Sequence, residues 1–436
     1  MNQIQPNAKA LLPIGVFLLL YLGGGIAFHD FYAMPACVAF LIALLVAFLQ
    51  NRKVSYDEKI TLIAKGLADD NIITMCLIFL TAGGFSSIVS AAGGADATVY
   101  VALNFLPTSL AVVGLFFIGC FISLAMGTSV GTITVLVPFA IGIAQSTGYS
   151  PVLCVAASAS GAMFGDNLSM ISDTTIASVR TQGCQMKDKF KANFFIVLPA
   201  TIAAAVLYFI FSITGVTDPI DVPAITTTMV IQTLPYLLVL VGALIGFNIF
   251  LVLVAGIVAS VVIGLALNMF TLSEVFVLLG SGTSGMYDIT VISIVVCCIS
   301  SLVKEYGGIA YVLNFIRKRI KSKRGAQAGI AALVAGVDVA TANNTIAIVL
   351  TGGLAKEISD EFQIDPKRTA SILDIFASVV QGLIPYGAQL LYAAAGAAAL
   401  LPESEVFSSV AIVPYMFYPM LMAVSALGYI IIFGKK

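Results

Sequence analysis

Charged side chains are scarce in this sequence. Lys, Arg, Asp and Glu make up 10% of its 436 residues, whereas 60% of the residues are hydrophobic. Soluble domains carry about 25% charged residues. Apolar runs of about eighteen residues or more recur from end to end, which is long enough for membrane-spanning helices. The composition therefore predicts an all-α polytopic membrane protein, and it excludes a soluble enzyme.

Other absences narrow the possible functions. The net charge is −1, which argues against a nucleic-acid partner. The seven cysteines, including the adjacent pair Cys297 and Cys298, show no disulfide or metal-binding spacing, and we interpret them as packing residues. No Gly-Lys-Ser/Thr phosphate loop occurs, so neither ATP-driven transport by this chain nor a cofactor is expected. The single histidine, His29, is interpreted as a residue at the end of the first span. The N-terminus lacks a signal peptide, so its first apolar run is predicted to be a retained span.

One stretch of this apolar chain is rich in polar side chains. Residues 161–175 contain two carboxylates, Asp166 and Asp173, together with Asn167. Two glycines in this stretch, Gly161 and Gly165, are expected to let the backbone bend. A carboxylate at membrane depth costs roughly 2.5–3.5 kcal/mol on insertion scales, and such residues usually serve a function. We therefore predict half of an ion site here, with a location of Asp173 near the cytoplasmic surface as the alternative.

The second part of the chain repeats the order of the first. Pro151 and Pro366 are 215 positions apart, and each is followed 15 residues later by a polar residue, Asp166 or Gln381. The predicted division is a first repeat at 1–215, a connecting loop at 216–228 and a second repeat at 229–436. We expect interfacial segments at 51–70, 95–108 and 271–285, and spans that include 71–92 and 193–214.

Loop charges predict the orientation in the membrane. Basic residues cluster at 52–65, 180–191 and 317–324, so the positive-inside rule places both termini in the cytoplasm. This orientation requires an odd number of re-entrant segments between 52–65 and 180–191. The simplest solution is five full spans and one re-entrant hairpin in each half, or about ten full spans in total, which gives the halves opposite topology. We predict the hairpins at 109–146 and 326–355, with tips at 127–132 and 341–345. The segments 151–179 and 367–400 would then be discontinuous spans.

Broken helices at membrane depth must face protein or a wet cavity, so the interrupted segments are predicted to meet near the midplane. Their polar residues are the candidate ion- and substrate-binding residues: Thr128, Ser129, Thr132, Asp166, Asn167, Asp173 and Thr174 in the first half, and Asp338, Asn343, Asn344, Thr345, Asp374 and Gln381 in the second. Carboxylate, amide and hydroxyl oxygens suit a hard cation such as Na⁺. From this set we predict Na⁺ ligands at Asp166, Asn167, Asp173 and Asn344.

Structural roles remain open for several of these residues. Hydroxyl and amide side chains often only join membrane helices, and this alternative applies with equal weight to Thr128, Ser129 and Thr132. Asp374 is alternatively paired with Arg368 or Asn343. Lys304 and Glu305 are expected to form a snorkelling pair at a span end.

The residues quoted above resemble a known family. The run 164–175, Phe-Gly-Asp-Asn-Leu-Ser-Met-Ile-Ser-Asp-Thr-Thr, followed by Arg180-Thr-Gln-Gly183, is similar to the signature of the NhaC-type Na⁺/H⁺ antiporter family, which is grouped with the ion-transporter superfamily. The 338–345 segment resembles the matching part of that family's second half. The resemblance implies a bacterial inner-membrane transporter with inverted repeats, paired hairpins, elevator-type movement and a homodimeric assembly.

Two functional hypotheses follow. The first is a Na⁺/H⁺ antiporter in which Asp166 and Asp173 bind Na⁺ and H⁺ alternately. The alternative is a Na⁺- or H⁺-coupled carrier of an amino acid or small organic acid, since the family resembled includes such relatives. The absence of an intramembrane arginine to hold a carboxylate favours the first. A channel or a purely structural membrane protein is disfavoured by the repeat with its broken helices.

Overall fold

The computed structural model describes residues 5–24, 35–68, 70–105, 107–170, 172–215, 223–245, 247–402 and 407–434. All regular elements in these ranges are helices, as the composition predicts. The first half contains α1 (Leu12–Leu18), α2 (Ala36–Leu49), α3 (Tyr56–Leu67), α4 (Asp70–Ala91), α5 (Gly94–Phe105), α6 (Ala111–Met126), α7 (Ser129–Thr147), α8 (Pro151–Leu168), α9 (Asp173–Gln182) and α10 (Met186–Gly215). The second contains α11 (Thr227–Leu244), α12 (Ile249–Ala266), α13 (Leu272–Ser284), α14 (Tyr287–Glu305), α15 (Gly308–Arg317), α16 (Lys323–Thr341), α17 (Asn344–Glu361), α18 (Pro366–Gln381), α19 (Ala388–Ala398), α20 (Ser409–Ile412) and α21 (Phe417–Phe433). A π-helical turn, Leu19–Gly23, extends α1.

Several helices have the length and apolarity needed to cross a membrane. Three do so alone in the described ranges, Ile72–Ala91, Ser129–Thr147 and Met186–Thr214. The number rises to five if two bent pairs are each counted as one span, Thr290–Glu305 with Gly308–Arg317 and Ser409–Tyr415 with Phe417–Phe433. Six further apolar helices are shorter. The figure of ten full spans therefore stays a prediction.

Helices α3 and α13, which lie in segments predicted to be interfacial, both begin with a capping box. Ser55 and Glu58 form a capping box at the start of α3, and Thr271 and Glu274 form one at the start of α13. Each box satisfies backbone N–H groups that a helix otherwise leaves without partners. The predicted helices at 51–70 and 271–285 are thus present, at positions 216 apart.

The interruptions of both hairpin segments have the same backbone conformation. Gly127 and Ala342, 215 positions apart, are left-handed with φ of 68° and 49°. The next residues, Thr128 and Asn343, are extended, and their side chains accept the backbone N–H of Gly131 and Ile346 as N-caps of α7 and α17. These breaks lie inside the predicted tips, because a left-handed residue ends one helix and a capping residue starts the next.

The discontinuous segments break as predicted, but the glycines act differently from the prediction. One break separates α8 from α9 and the other separates α18 from α19. Gly161 and Gly165 lie inside α8 rather than at its end, so the expectation of a bend there was wrong. A Cβ at Gly161 would collide with the backbone of Phe116, and one at Gly165 with Ser123 and Leu124. These glycines therefore allow α8 to lie directly against α6.

Helices of the two halves interleave around the buried centre. Helix α9 packs on α17 and α18, α19 packs on α7, and α10 packs on α18 and α21. Helices α4, α5 and α11–α13 pack mainly on one another and also contact α6, α7 and α14. The residues that line the breaks therefore come from both halves of the chain.

One helix boundary differs from the prediction in a consequential way. The predicted span began at residue 193, whereas α10 starts at Met186 and runs to Gly215. Lys189 therefore lies in the first helical turn and is 1% exposed, so its assignment to a basic surface patch was wrong. His29, predicted to lie at the end of the first span, part of the 216–228 loop and residues 435–436 lie outside the described residues.

Candidate functional site

The four helix breaks meet at one cavity of about 490 Å³. Its wall includes both hairpin tips and the residues that flank the other two breaks. The polar lining residues near the breaks are Thr128, Ser129, Asp166, Asp173, Thr174, Thr341, Asn343, Asn344, Thr345, Gln381 and Gln389. The predicted convergence of the interrupted segments is thus present in the structure. Lys65 and Lys304, both exposed, line the same cavity where it approaches the protein surface.

Asp166 is the buried carboxylate of this cavity. It lies in the last turn of α8 and is 5% exposed. The Ser129 hydroxyl donates to Oδ2 at 2.8 Å, and the Ser172 hydroxyl donates to Oδ1 at 2.6 Å. The Asn344 amide is 3.5 Å from Oδ2. Each oxygen of the carboxylate is therefore held by a hydroxyl, one from the first hairpin tip and one from the α8–α9 break.

The α8–α9 break brings further oxygen atoms close to Asp166. The Thr174 hydroxyl lies 2.9 Å from Ser172 Oγ and 3.4 Å from the backbone oxygen of Asp166. Asp173, the first residue of α9, also lines the cavity, but its side chain is exposed. The two predicted carboxylates thus line the same cavity at different depths. The Asp166 side chain is buried in the wall, and the Asp173 side chain is exposed.

A chain of hydrogen bonds runs from Asp166 into the second half. Gln389 Nε2 donates to Ser129 Oγ at 3.1 Å, and Gln381 Nε2 donates to Gln389 Oε1 at 2.5 Å. Gln381 Nε2 also lies 3.3 Å from the Ala342 carbonyl at the second hairpin tip. A shift of either hairpin tip would therefore change the polar contacts of Asp166.

Residues of this hydrogen-bonded series and of the adjoining cavity wall form pairs with a constant spacing between the two halves of the polypeptide. The pairs Ser129 and Asn344, Asp166 and Gln381, and Thr174 and Gln389 are each 215 positions apart, and all six residues line the cavity. At the position of the carboxylate in the first half, the second half carries an amide. The cavity is therefore asymmetric in charge between residues that lie 215 positions apart.

At the second hairpin tip, the asparagines have separate tasks. Asn343 Oδ1 accepts the Ile346 N–H at 2.9 Å as the helix cap, whereas Asn344 Oδ1 accepts the Thr345 N–H at 2.9 Å and points its amide nitrogen to Asp166. Only Asn344 of this pair therefore contacts the carboxylate directly.

Four predicted residues lie away from the cavity wall. Thr132 is buried inside α7, with its hydroxyl 2.9 Å from the Thr128 carbonyl. Asp338 is fully buried in α16, and neither of its carboxylate oxygens has a hydrogen-bonding side chain among the described residues. Asn167 and Asp374 belong to a second buried cluster. The structure does not bring these four side chains to Asp166.

The second cluster is centred on Lys189. Its ammonium donates to the Asn167 carbonyl at 2.9 Å, to Thr175 Oγ1 at 2.8 Å and to the Asp374 carboxylate. The Asn167 side chain accepts from Asn193 Nδ2 at 2.8 Å. The alternative pairing of Asp374 with Arg368 or Asn343 was wrong, because Lys189 takes that place. Arg368 instead lies over the Tyr429 ring and donates to the Phe433 carbonyl.

Sequence reasoning missed three central residues, Ser172, Gln389 and Lys189. Ser172 stood in the polar stretch but was not selected. Gln389 was detectable from the repeat, since it lies 215 positions after Thr174. Lys189 had no such signal, because its neighbours Lys187 and Lys191 made it part of an apparent surface cluster.

An apolar, all-helical chain whose helices break around a polar cavity has the architecture of a membrane transporter. The model of the Na⁺/H⁺ antiporter family matches residues 8–216 and 211–434. The chain therefore belongs to the Na⁺/H⁺ antiporter family, which confirms the resemblance seen in the sequence. This is a family of membrane antiporters rather than enzymes, and its ions are transported species and not resident cofactors.

Two relatives in the antiporter class have low sequence identity to this chain. The chain is 22% identical over 417 residues to the malate-2H⁺/Na⁺-lactate antiporter of Bacillus subtilis, covering 88% of each chain. It is 25% identical over 288 residues to the Na⁺/H⁺ antiporter NhaC of Alkalihalophilus pseudofirmus, covering 60% of this chain and 62% of the relative. A crystal structure of the Alcanivorax borkumensis YdaH transporter, described as having an unusual topology, aligns with TM-score 0.43 and 15% identity over 97% of this chain and 98% of that one.

Proposed function

We propose that this protein exchanges Na⁺ for H⁺ across the bacterial cytoplasmic membrane, with Asp166 as the carboxylate that binds the two ions alternately. One observation carries the proposal. Among the described residues, Asp166 is the carboxylate that is both buried and part of the cavity wall. Family membership and the similarity to NhaC support the ion pair.

The surroundings of Asp166 supply the oxygen atoms that Na⁺ requires. A serine hydroxyl has one proton to donate and two lone pairs to offer. Ser129 and Ser172 can therefore keep their hydrogen bonds to the carboxylate while a lone pair of each turns towards an ion. The Thr174 hydroxyl would add a further oxygen, because hard cations take carboxylate and hydroxyl oxygens. Asn344 instead directs its amide nitrogen to Asp166, so it would support the carboxylate rather than bind the ion.

Burial explains why exchange would be obligatory. An isolated carboxylate anion in a low-dielectric interior is strongly disfavoured unless it is neutralised. Either a proton or Na⁺ neutralises Asp166, and one carboxylate does not hold both at once. The carrier would therefore change its orientation when loaded with one ion or the other, and not when empty.

The test uses proteoliposomes that contain a pH-sensitive dye. A Na⁺ pulse should change the internal pH with the unmodified protein, and Asp166→Asn should abolish this response. Asp360→Asn, which changes an exposed carboxylate at the end of α17, is the matched control and should transport normally. Retained Na⁺-dependent proton movement in Asp166→Asn would refute the role of Asp166.

A second candidate function is supported by the size of the cavity. A volume of about 490 Å³ lies within the range of small-molecule sites, and it exceeds what Na⁺ needs. Lys65 and Lys304 would offer positive charge to a carboxylate. The similarity to a malate–lactate antiporter supports the same possibility. A panel of organic acids and amino acids, each added with and without Na⁺, separates the candidates: silence to Na⁺ alone and a response to one solute would favour the coupled carrier.

We further propose that the halves are inverted repeats, that both termini are cytoplasmic and that the cavity faces the cytoplasm. Equal spacing of the four breaks supports the repeat, and the position of Lys65 and Lys304 at the cavity supports the orientation. Ser301→Cys, on the lysine-lined side, should react with a membrane-impermeant thiol reagent in inside-out vesicles. Labelling only in right-side-out vesicles would reverse the orientation.

We also propose elevator movement and a homodimer, which the family resemblance implies. Crosslinking with size analysis in detergent would test the dimer.

A further inference from the structure

The buried cluster at the α8–α9 break surrounds an ammonium group with oxygen atoms. Lys189 Nζ contacts the Asn167 carbonyl, the Thr175 hydroxyl and the Asp374 carboxylate. The lysine is 1% exposed and the aspartate 0%. These three oxygens, which we call the oxygen cage, come from the end of α8, the start of α9 and the middle of α18.

Each oxygen in the cage has a reason to attract a cation. The Asn167 carbonyl is among the last carbonyls of α8, which the helix itself leaves without partners and which carry the negative end of its dipole. Asn193 Nδ2 also binds this carbonyl, at 2.8 Å, and so fixes its direction. Thr175 Oγ1 lies 3.0 Å from Asp374 Oδ2, so its proton points to the carboxylate and its lone pairs remain for a cation.

Asp374 supplies a second, independent indication of a ligand position. Its Oδ1 is buried and has no hydrogen-bond partner among the described residues. A buried carboxylate usually satisfies both oxygens, because an unpartnered one loses its hydration without replacement. The unpartnered Oδ1 of Asp374 lies next to the cage and therefore offers an additional ligand to an ion.

We propose that the oxygen cage is a monovalent-cation site that the Lys189 ammonium occupies permanently, and that free Na⁺ or Li⁺ fills it when the ammonium is removed. The Asn167 carbonyl and the Thr175 hydroxyl lie 2.9 Å and 2.8 Å from Nζ, so they would close in by a few tenths of an ångström around a smaller ion. Lys189 is then a tethered cation that joins both sides of the break next to Asp166. This inference does not depend on the exchange role of Asp166.

The experiment removes the Asp166 site so that the cage alone can respond to Na⁺. Four full-length proteins are purified in detergent: Asp166→Asn by itself, and the same variant with Lys189→Ala, with Lys189→Met, or with Lys189→Ala and Asp374→Asn. The midpoint of thermal unfolding, Tm, is measured in NaCl, LiCl and choline chloride at equal ionic strength. Alanine vacates the ammonium position, whereas methionine fills it without a charge.

The Lys189→Ala protein should have the lowest Tm in choline and should gain roughly 5 °C in NaCl or LiCl, since a ligand that binds only the folded state stabilises it. The Tm of the other three proteins should differ much less between choline chloride and NaCl or LiCl. Lys191→Ala, made in the Asp166→Asn protein, is the control, because Lys191 is an exposed lysine two residues along α10. Its Tm should respond to the salts as that of Asp166→Asn alone does.

Equal Na⁺ responses in the alanine and methionine variants would overturn the proposal, as would an alanine response that survives Asp374→Asn. Failure to recover folded Lys189→Ala protein, even when membranes are solubilised in NaCl, would also count against it. None of these results bears on Na⁺-dependent proton movement by the unmodified protein.

Discussion

Ser129 holds the position where both halves of the site meet, so Ser129→Ala should weaken Na⁺ affinity more than any neighbouring hydroxyl change. Its Oγ donates to Asp166 at 2.8 Å and accepts from Gln389 at 3.1 Å. Alanine would remove one proposed Na⁺ ligand. It would also leave the Gln389 amide, 4% exposed, without this acceptor.

The expected loss of Na⁺ affinity in Ser129→Ala follows from the charge on Asp166. Hydrogen bonds to charged groups are worth about 1.5–3 kcal/mol, and about 1.4 kcal/mol corresponds to a tenfold change in affinity. The apparent KM for Na⁺ should therefore rise about 10- to 100-fold, with a smaller change in the maximal rate. Proteoliposomes with graded external Na⁺ provide the measurement.

Ser301→Ala is the matched control. Ser301 also lines the cavity, but its hydroxyl donates to the Cys297 carbonyl of its own helix at 2.8 Å. Its KM for Na⁺ should stay within about twofold, because Ser301 contacts neither Asp166 nor a proposed Na⁺ ligand, and substitutions away from such contacts change free energies by less than about 0.5 kcal/mol. An unchanged KM in Ser129→Ala, with correctly folded protein, would refute the proposed ligand role of the first hairpin tip.

Three further predictions concern other parts of the molecule. Gln389→Ala should raise the KM for Na⁺ less than Ser129→Ala, by about tenfold or less, because it removes a support of the ligand and not a ligand itself; the same Na⁺ titration measures it. Gly165→Ala should sharply reduce the yield of folded protein on size-exclusion chromatography, whereas Gly353→Ala, where a Cβ meets nothing within 4 Å, should not; equal yields would contradict the close α6–α8 contact. The Ser55 N–H and hydroxyl lower the pKa of Glu58 from 4.5, so this cap contributes stability above pH 4.5 that is lost as the pH falls through the lowered pKa. Glu58→Gln should therefore lower the Tm at pH 7 and leave it nearly unchanged in strong acid.

Much of the helical framework was predictable from local patterns. The helix breaks at Gly127 and Ala342 lie in segments where polar residues interrupt apolar runs, and the capping residues Thr128 and Asn343 are visible in the sequence. Capping and chain interruption depend on neighbours within a few residues, so a sequence contains the necessary information. The repeat made this inference stronger, because the same breaks occur 215 positions later.

Which polar residues share one cavity was less predictable from the sequence than where the helices break. Asp166, Asn344 and Gln381 were predicted and meet there, whereas Asn167, next to Asp166, faces the Lys189 cluster instead. Adjacent residues on a helix point about 100° apart, so a motif read as a single unit divides between two sites once the helix is packed.

By itself, the sequence determined that this is an all-helical membrane protein, that its family is that of Na⁺/H⁺ antiporters, and where its helices break. Composition, signature and capping are all local or additive properties. Only the tertiary structure decided which groups surround Asp166 and Asp374. Asp374 is paired with Lys189, 185 positions away, and Asp166 with hydroxyls from two different breaks. Such pairings depend on how helices from both halves pack, because an unpaired buried charge is costly and its partner can lie far away along the chain.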